Sequence, residues 1–287
     1  MPVAVGDGLA RALAKELKAR HVAIEQRVFP DGEILPRLTA KPRGTVILAL
    51  SKARTESVND YLLKFLLLAN KLREVRGRLI GVLPYLPYAR QDKAFRPGEP
   101  ISSKYIAKLL SANLDHFITV SAHEHRQTVK ELFKIPAENI SGFRPLARAF
   151  MIRRPYVVGP DIESLKYIRE FASVLGCDFT CFRKARDIRT GEVRISAPAI
   201  DLAGRNVIIA DDIVSSGRTL VQAAAIARRA GAKSIYFAFV HAVLAPGALA
   251  RLRAAKPAKI VATSTIESPV SKVDISGEIA DYLKGIL

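Results

Sequence analysis

Short β-rich apolar runs alternate along this chain with segments whose apolar residues recur at helical spacing. Thr45–Leu50 (TVILAL) reads as a buried strand, and Ser57–Val75 as a helix with Val58, Tyr61, Leu62, Phe65, Leu68, Ala69 and Leu72 on one face. Arg78–Leu86 is a strand broken by prolines. Pro100–Ser111 opens a helix expected to turn Ile101, Tyr105, Ile106, Leu109 and Leu110 inward, and His116–His123 is a further strand. Gly142 and Pro145 interrupt the pattern near Ile140–Pro145. It then resumes: a strand at Tyr156–Asp161, a helix at Ile162–Gly176, strands at Asp178–Lys184 and Arg205–Asp212, a helix at Arg218–Ala230 and a strand at Ser234–Leu244. Strands separated by amphipathic helices predict βαβ units, hence an α/β fold of two halves, each a mainly parallel sheet flanked by helices. Polar residues collect at the strand C-termini, where ligands bind in open α/β sheets.

The chain has 287 residues, 49% of them hydrophobic, which suits two domains of ordinary size. No apolar run approaches the ~20 residues that span a bilayer, and MPVAVGDGLARAL lacks the basic and apolar regions of a secretory signal. Cys177 and Cys181 are too few for a structural zinc site and read as buried thiols of a cytoplasmic protein. The formal charge of +18 admits nucleic-acid binding or capture of small polyanions. Because the basic residues are spread along the chain, with Lys71–Arg78 and Arg251–Lys259 on predicted helical faces, nucleic acid is the disfavoured partner. Plentiful Lys, Arg and Glu with no Trp is compatible with a heat-loving source.

The most informative stretch is Val207–Thr219, VIIADDIVSSGRT. An apolar strand runs into Asp211 and Asp212, then into Ser215, Ser216, Gly217, Arg218 and Thr219, before a helix. A helix N-terminus beside hydroxyls is an anion site. Two carboxylates upstream would repel that anion unless they serve sugar hydroxyls or a metal, so the segment asks for a sugar phosphate. An acidic helix cap is the plainer alternative. The whole string resembles the phosphoribosyl-pyrophosphate (PRPP) loop of phosphoribosyltransferases and PRPP synthases.

Five further motifs extend that resemblance over nearly the full length to the ribose-phosphate pyrophosphokinase (PRPP synthase) family, in an archaeal-like form. The resemblance implies two tandem phosphoribosyltransferase-like domains: residues 1–142, contacting nucleotide, and 143–287, carrying the ribose 5-phosphate loop. The last helix is a candidate to pack back on the first domain. In Phe29–Arg37 (FPDGEILPR), otherwise a tight turn, Phe29 would pack on adenine while Asp31 and Glu33 accept from its amine, often across a subunit contact; this implies a homo-oligomer. In Pro84–Lys93, ending PYARQDK, Arg90 and Gln91 match nucleotide contacts, although AFRPGEPIS beyond lacks a second acid common in the family. In Val120–His125 (VSAHEH), His123 matches a histidine near the Mg-nucleotide, with Ser121 where an aspartate is common; His123 and His125 also form a His-x-His pair. In Val157–Ser164 (VVGPDIES), Asp161 matches a metal and substrate aspartate, or caps the next helix, with Ile162, Glu163 and Ser164 replacing glycines. In Cys181–Ile195, Lys184 and Arg186 match the Lys-x-Arg of a catalytic loop, a pair otherwise typical of a basic hairpin with TGEV as its turn.

What the resemblance implies is transfer of the β,γ-diphosphate of ATP to the anomeric hydroxyl of ribose 5-phosphate, with Mg²⁺ at His123 and Asp161. Lys184 and Arg186 close over the reacting phosphoryl group, where such charges contribute ~10³–10⁵ in rate. Ser215, often acidic in relatives, leaves no general base in view. A phosphoribosyltransferase that consumes PRPP shares the Asp211–Thr219 loop without requiring the other motifs. A non-catalytic regulatory homologue would keep the loop; Ser121 with the missing glycines after Asp161 leans that way, and the intact Lys184 and Arg186 lean against it.

Overall fold

A computed structural model describes residues 1–75, 77–186, 193–196 and 200–287; for 184–186 and 193–196 it describes the backbone alone. The chain forms two compact units. The first comprises Met1–Ser141, Thr265–Glu267 and Ile275–Leu287; the second comprises Gly142–Ser264 and Ser268–Asp274.

In the first unit the order is β1 (Val3–Gly6), α1 (Gly8–Glu16), β2 (Arg20–Val28), β3 (Ile34–Leu38), β4 (Val46–Ala49), α2 (Val58–Arg73), β5 (Leu79–Val82), α3 (Ser102–Asn113), β6 (His116–Val120), α4 (Val129–Leu132) and β7 (Ala137–Ile140). The sheet order is β3-β2-β1-β4-β5-β6-β7, parallel except for the β2–β3 hairpin at its edge. Buried on both faces, β1, β4, β5 and β6 have no exposed position, which is why each reads as a continuous apolar run. Pro36 lies on β3, the edge strand, where a missing N–H costs no ladder bond to a further neighbour.

The second unit runs α5 (Phe143–Arg148), β8 (Pro155–Gly159), a 3₁₀ turn at Ile162–Ser164, α6 (Leu165–Leu175), β9 (Phe179–Cys181), β10 (Arg183–Arg186), β11 (Val193–Ser196), β12 (Asn206–Ile213), α7 (Arg218–Arg229), β13 (Ser234–His241), α8 (Ala248–Ala254), β14 (Lys259–Thr263) and β15 (Ser271–Val273). Its main sheet, β15-β14-β13-β12-β8-β9, is parallel throughout. β10 and β11 form a separate antiparallel pair. A final helix, α9 (Ser276–Lys284), belongs to the first unit and packs on α1.

Three sequence expectations need correction. Tyr105 and Leu109 are 61% and 50% exposed, and α3 turns Ser103, Ala107 and Leu110 to the core instead. The predicted helix at Ile162–Gly176 begins as a 3₁₀ turn and becomes α-helical only at Leu165. The basic run Arg251–Lys259 is not one helical face: α8 ends at Ala254 and Lys259 opens β14. The TGEV turn lies, up to Val193, outside the described residues.

Candidate functional site

In the second unit the chain moves outward from the sheet centre in both directions, β8 to β9 on one side and β12 to β13, β14 and β15 on the other. The crevice at such a switch point, beyond the strand C-termini, is where α/β sheets place ligands. Asp161 follows β8 there, and Asp211 and Asp212 end β12. Asp161 caps the 3₁₀ turn, its Oδ1 accepting from Ser164 N at 3.2 Å, while Ser164 Oγ donates to Asp161 O at 2.6 Å. Capping therefore coexists with a position at the strand end. Gly159 keeps this corner tight: a Cβ would stand 2.3 Å from Ser164 Oγ and 2.7 Å from Cys181 Sγ.

β12 extends through the acidic pair to Ile213. Asp211 Oδ1 accepts from Asp212 N at 3.0 Å, and Asp212 Oδ1 from Ile213 N at 2.7 Å. Asp212 is buried. Burial pushes the Asp211 carboxyl well above the usual carboxylate range, and the charges of Asp212 and Asp161 push it the same way. Each charged neighbour that shifts Asp211 is itself a carboxylate. Such a cluster is suited to a hard cation or to hydroxyl donors, both of which reverse the penalty.

The loop after β12 is held from behind. Val214 N donates to His241 O at 3.0 Å, Ala245 N to Ser215 O at 3.0 Å, and Arg251 Nη1 to Ser216 O at 2.6 Å. Gly217 adopts φ +73°, in the left-handed region that glycine enters freely, and turns the chain into α7. Arg218 N reaches Ser216 Oγ at 3.4 Å. Among the described residues, no side chain caps α7, and the N–H groups of Ser216, Gly217, Thr219 and Leu220 meet no backbone carbonyl. A row of open N–H groups at a helix start, with Ser215, Ser216 and Thr219 hydroxyls beside it, is an anion cradle.

Lys184 and Arg186 lie on β10, opposite Ile195 and Val193 of β11; their side chains are outside the described residues. The hairpin springs from the same rim. Phe182, fully buried, donates its N–H to Gly159 O at 2.9 Å, two residues before Asp161.

In the first unit, Phe29, Asp31 and Glu33 share the β2–β3 hairpin tip. Phe29 N donates to Glu33 O at 2.8 Å, Asp31 Oδ1 accepts from Glu33 N at 3.1 Å, and the Arg27 guanidinium lies 4.6 Å from the Phe29 ring centre. Arg90 and Gln91 follow β5. Gln91 Nε2 donates to Lys93 O at 3.2 Å, and the Gln91 backbone carbonyl accepts from Ser103 N at 3.2 Å. Glu99 closes the following loop by accepting from Phe95 N at 2.8 Å and Arg96 N at 3.1 Å. His123 follows β6, its Nδ1 lying 3.1 Å from His125 Nε2. Ser121 is buried at φ +41°, and Asn139 Oδ1 accepts from Ala122 N at 2.9 Å. The structure places Asp92, next to Gln91, and His123 on the wall of one small cavity. Within one chain the Phe29 tip stands on the β2–β3 hairpin, three strands from β5 and four from β6. Arg251 and Asn139, which hold the two loops, carried no sequence signal because they act from 35 and 17 residues away.

Comparison with known proteins matches residues 4–113 to the N-terminal domain of ribose phosphate pyrophosphokinase and residues 128–271 to the phosphoribosyl transferase domain. The chain is 36% identical to a ribose-phosphate pyrophosphokinase of Methanopyrus kandleri, over 98% of this chain and 97% of that protein. It is 34% identical to that of Pyrococcus furiosus, covering 97% and 99% respectively. Among solved structures it is similar to a phosphoribosylpyrophosphate synthetase from Mycobacterium smegmatis, with a TM-score of 0.84 and 26% identity over 100% of this chain and 99% of that one.

Proposed function

The chain belongs to the ribose-phosphate pyrophosphokinase family and has that family's activity, ribose-phosphate diphosphokinase; we propose that its second unit holds ribose 5-phosphate and its first holds ATP. The observation that carries this division is the carboxylate cluster Asp161, Asp211 and Asp212 followed by the open amides of Ser216, Gly217, Thr219 and Leu220. The loop Ser215, Ser216, Gly217, Arg218 and Thr219 binds the 5-phosphate, and Asp211 and Asp212 accept from the ribose hydroxyls. The sugar is fixed so that its anomeric oxygen faces the β-phosphorus of ATP. The new bond joins that oxygen to the β-phosphorus, the bond from the β-phosphorus to the oxygen it shares with the α-phosphate breaks, and AMP departs. The hydroxyl proton passes to water, since Ser215 offers no carboxylate. Lys184 and Arg186 supply positive charge to the equatorial phosphoryl oxygens.

Asp161 has the oxygen chemistry that Mg²⁺ prefers, and its position beside Asp211 suits a cation. His123 fits less well as a direct ligand, because one ring nitrogen already faces His125 and imidazole is a poor magnesium donor, so phosphate contact is its better role. When bound, Mg²⁺ would withdraw electron density from the triphosphate and neutralise its charge. In the first unit, Arg90, Gln91 and His123 hold the nucleotide. Phe29, Asp31 and Glu33, three strands distant in one chain, read adenine on a second copy, so the enzyme works as a homo-oligomer. Both thiols are free, which suits the reducing cytoplasm. Among the described residues no helix is long and apolar enough to cross a membrane.

The test is AMP formation from ATP and Mg²⁺ with and without ribose 5-phosphate. Sugar-dependent AMP is the expected result; PRPP cleavage on adding a base, with no AMP from ATP, would favour a phosphoribosyltransferase. The match of residues 4–113 to the pyrophosphokinase N-terminal domain favours the synthase. Lys184→Ala should cut turnover by at least about 10³ while leaving the ribose 5-phosphate KM nearly unchanged. Collapse of affinity with turnover spared would refute the role given to Lys184.

A further inference from the structure

The second unit has a cleft at the opposite end of its sheet. About 720 Å³ in volume, it is lined by Arg154 and Pro155 at the start of β8, Arg169 on α6, Cys177 and Phe179 at the start of β9, and Arg205 just before β12. β8 and β12 carry Asp161 and Asp211 at their far ends. Five residues lie between Pro155 and Asp161, about 20 Å of extended chain. The cleft is therefore not part of the sugar-phosphate site.

Its charge is unbalanced. Three guanidinium groups line it against one carboxylate, Asp178, a surplus of two positive charges. Asp178 is committed to Arg205, whose Nη2 donates to Asp178 Oδ2 and to Pro155 O, each at 3.0 Å. Arg205 Nε–H is buried and has no partner among the described residues. Arg154 is held in place by backbone geometry: it adopts φ +48°, its carbonyl accepts from Asn206 N at 3.2 Å, and its Nη1 lies over Gly204. A non-glycine residue in that region is strained by about 1–2 kcal/mol.

One structural explanation for these arginines is the C-terminus of α6, whose carbonyls attract cations. That end is already capped by its own chain. Gly176 adopts φ +60°, its N–H meets the carbonyls of Ala172 and Ser173, and Cys177 N donates to Ala172 O at 3.1 Å. The arginines are not needed there. A phosphate monoester or free phosphate carries about −1.5 to −2 charge near neutral pH, which matches the surplus, and arginine's planar fork suits phosphate oxygens. The volume falls within the roughly 300–1,000 Å³ of small-ligand sites.

We propose that this cleft is a second anion site, binding a phosphate dianion, free or as a phosphate monoester, through Arg154 and Arg169 with Arg205 behind them. The two thiols give it a built-in reporter. Cys177 lines the cleft, whereas Cys181 stands beside Gly159 and Ser164 near Asp161. Alkylation of each thiol in the full-length protein is followed by tandem mass spectrometry at pH about 9.5, since burial pushes both thiols up. The additions are inorganic phosphate, AMP and ribose 5-phosphate, each up to about 10 mM, enough to fill a millimolar site. At least about threefold slowing at Cys177 is expected, abolished in Arg154→Ala/Arg169→Ala. Arg169→Glu, a change at one exposed helical position, should also abolish it and leave AMP formation unchanged, so misfolding of the double variant cannot decide the matter. Protection by inorganic phosphate identifies the free dianion as sufficient; protection by the esters alone identifies the monoester. Either supports the site. No protection of Cys177 by any of the three, or protection that survives both variants, overturns it. Slowing at Cys181 and sugar-dependent turnover report separately on the catalytic assignment.

Discussion

Replacing Gly217 by alanine tests whether the left-handed turn before α7 holds the phosphate loop. The residue sits at φ +73°, which costs a Cβ-bearing residue about 1–2 kcal/mol. Its new Cβ would stand 3.0 Å from Leu252 Cδ2 and 3.1 Å from Leu252 Cγ, and Leu252 is fully buried. The neighbour must yield by a few tenths of an ångström, an overpacking cost near the lower end of about 1–3 kcal/mol. The sum is about 2–3 kcal/mol. At about 2–4 °C per kcal/mol for a unit of this size, the melting temperature should fall by about 4–12 °C. Gly247→Ala is the matched control: φ is +77°, but no atom lies within 4 Å of the added Cβ, so only the backbone cost applies. Calorimetry of the two variants isolates the packing contribution, expected near 1 kcal/mol. Kinetics isolates the function. Displacement of Ser216 and the first turn of α7 weakens a contact to a phosphate that does not react, so the ribose 5-phosphate KM should rise about tenfold with a smaller change in kcat. If Gly217→Ala costs no more stability than Gly247→Ala and leaves that KM within about twofold, the turn does not organise the cradle.

Asp211→Asn should raise the melting temperature while lowering turnover by at least about 10², because burial and the Asp212 and Asp161 charges all oppose the native carboxylate; a lower melting temperature would refute the repulsion. His116 makes a pH prediction. Burial chiefly, then the Arg78 guanidinium, lowers its pKa, with Nδ1 3.3 Å from Arg78 Nη2 and Nε2 3.1 Å from Tyr282 Oη on α9. Native protein holds the neutral ring, so stability is intact above the unfolded value of about 6.5 and falls as pH drops below it. Urea midpoints between pH about 7.5 and 5.5 should fall more in wild type than in His116→Asn; equal slopes would refute this. Lys64 and Glu56 form an ion pair at 2.6 Å with side chains only 9% and 8% exposed. Lys64→Met should cost about 3 kcal/mol by leaving Glu56 buried and charged, and adding Glu56→Gln should recover most of it; urea denaturation of the single and double variants decides.

What the sequence made legible is what period and local chemistry encode. The strands at Val46–Ala49 and Val207–Ala210 are uninterrupted apolar runs because both sheet faces are covered, and the acidic pair with Gly217 marks where β12 hands over to α7. The core face of α3 was not legible. Tyr105 and Leu109 outweigh Ser103 and Ala107 in hydrophobicity, yet the small residues fit where the helix lies closest to the sheet. The residues that steady the site act across the fold: Arg251 reaches Ser216 from α8, and Asn139 reaches Ala122 from β7. Such pairs depend on which strands become neighbours, and nothing in local spacing encodes that. The cleft at Arg154, Arg169 and Arg205 was hidden for the same reason, its arginines being scattered over 51 positions of a uniformly basic chain.

The two units repeat one topology under opposite electrostatics. β1 and β2 run to one side of the first sheet and β4 to β7 to the other; β8 and β9, then β12 to β15, repeat this in the second. Asp7 therefore occupies in the first unit the place of Asp161 in the second. Each follows the first strand and caps the next turn, with Leu9 N donating to Asp7 Oδ1 at 3.0 Å. The counterpart of Asp211 and Asp212 is the segment after β4, and there the first unit supplies its own partners. Ser51 N donates to Asp7 Oδ2 at 2.8 Å, the Lys52 ammonium donates to the carbonyls of Glu56 at 2.6 Å and Ala53 at 3.1 Å, and the Glu56 carboxylate pairs with Lys64. Burial raises the pKa of Asp7 and lowers that of Lys52, so this switch point is filled by the unit's own paired groups. In the second unit the charged neighbours at the matching position are carboxylates, Asp212 and Asp161, which push the Asp211 carboxyl up. The same backbone thus gives one end filled by its own paired groups and one suited to a ligand that brings hydroxyls or a cation, and that difference in side-chain charge supports our proposal that the sugar binds in the second unit.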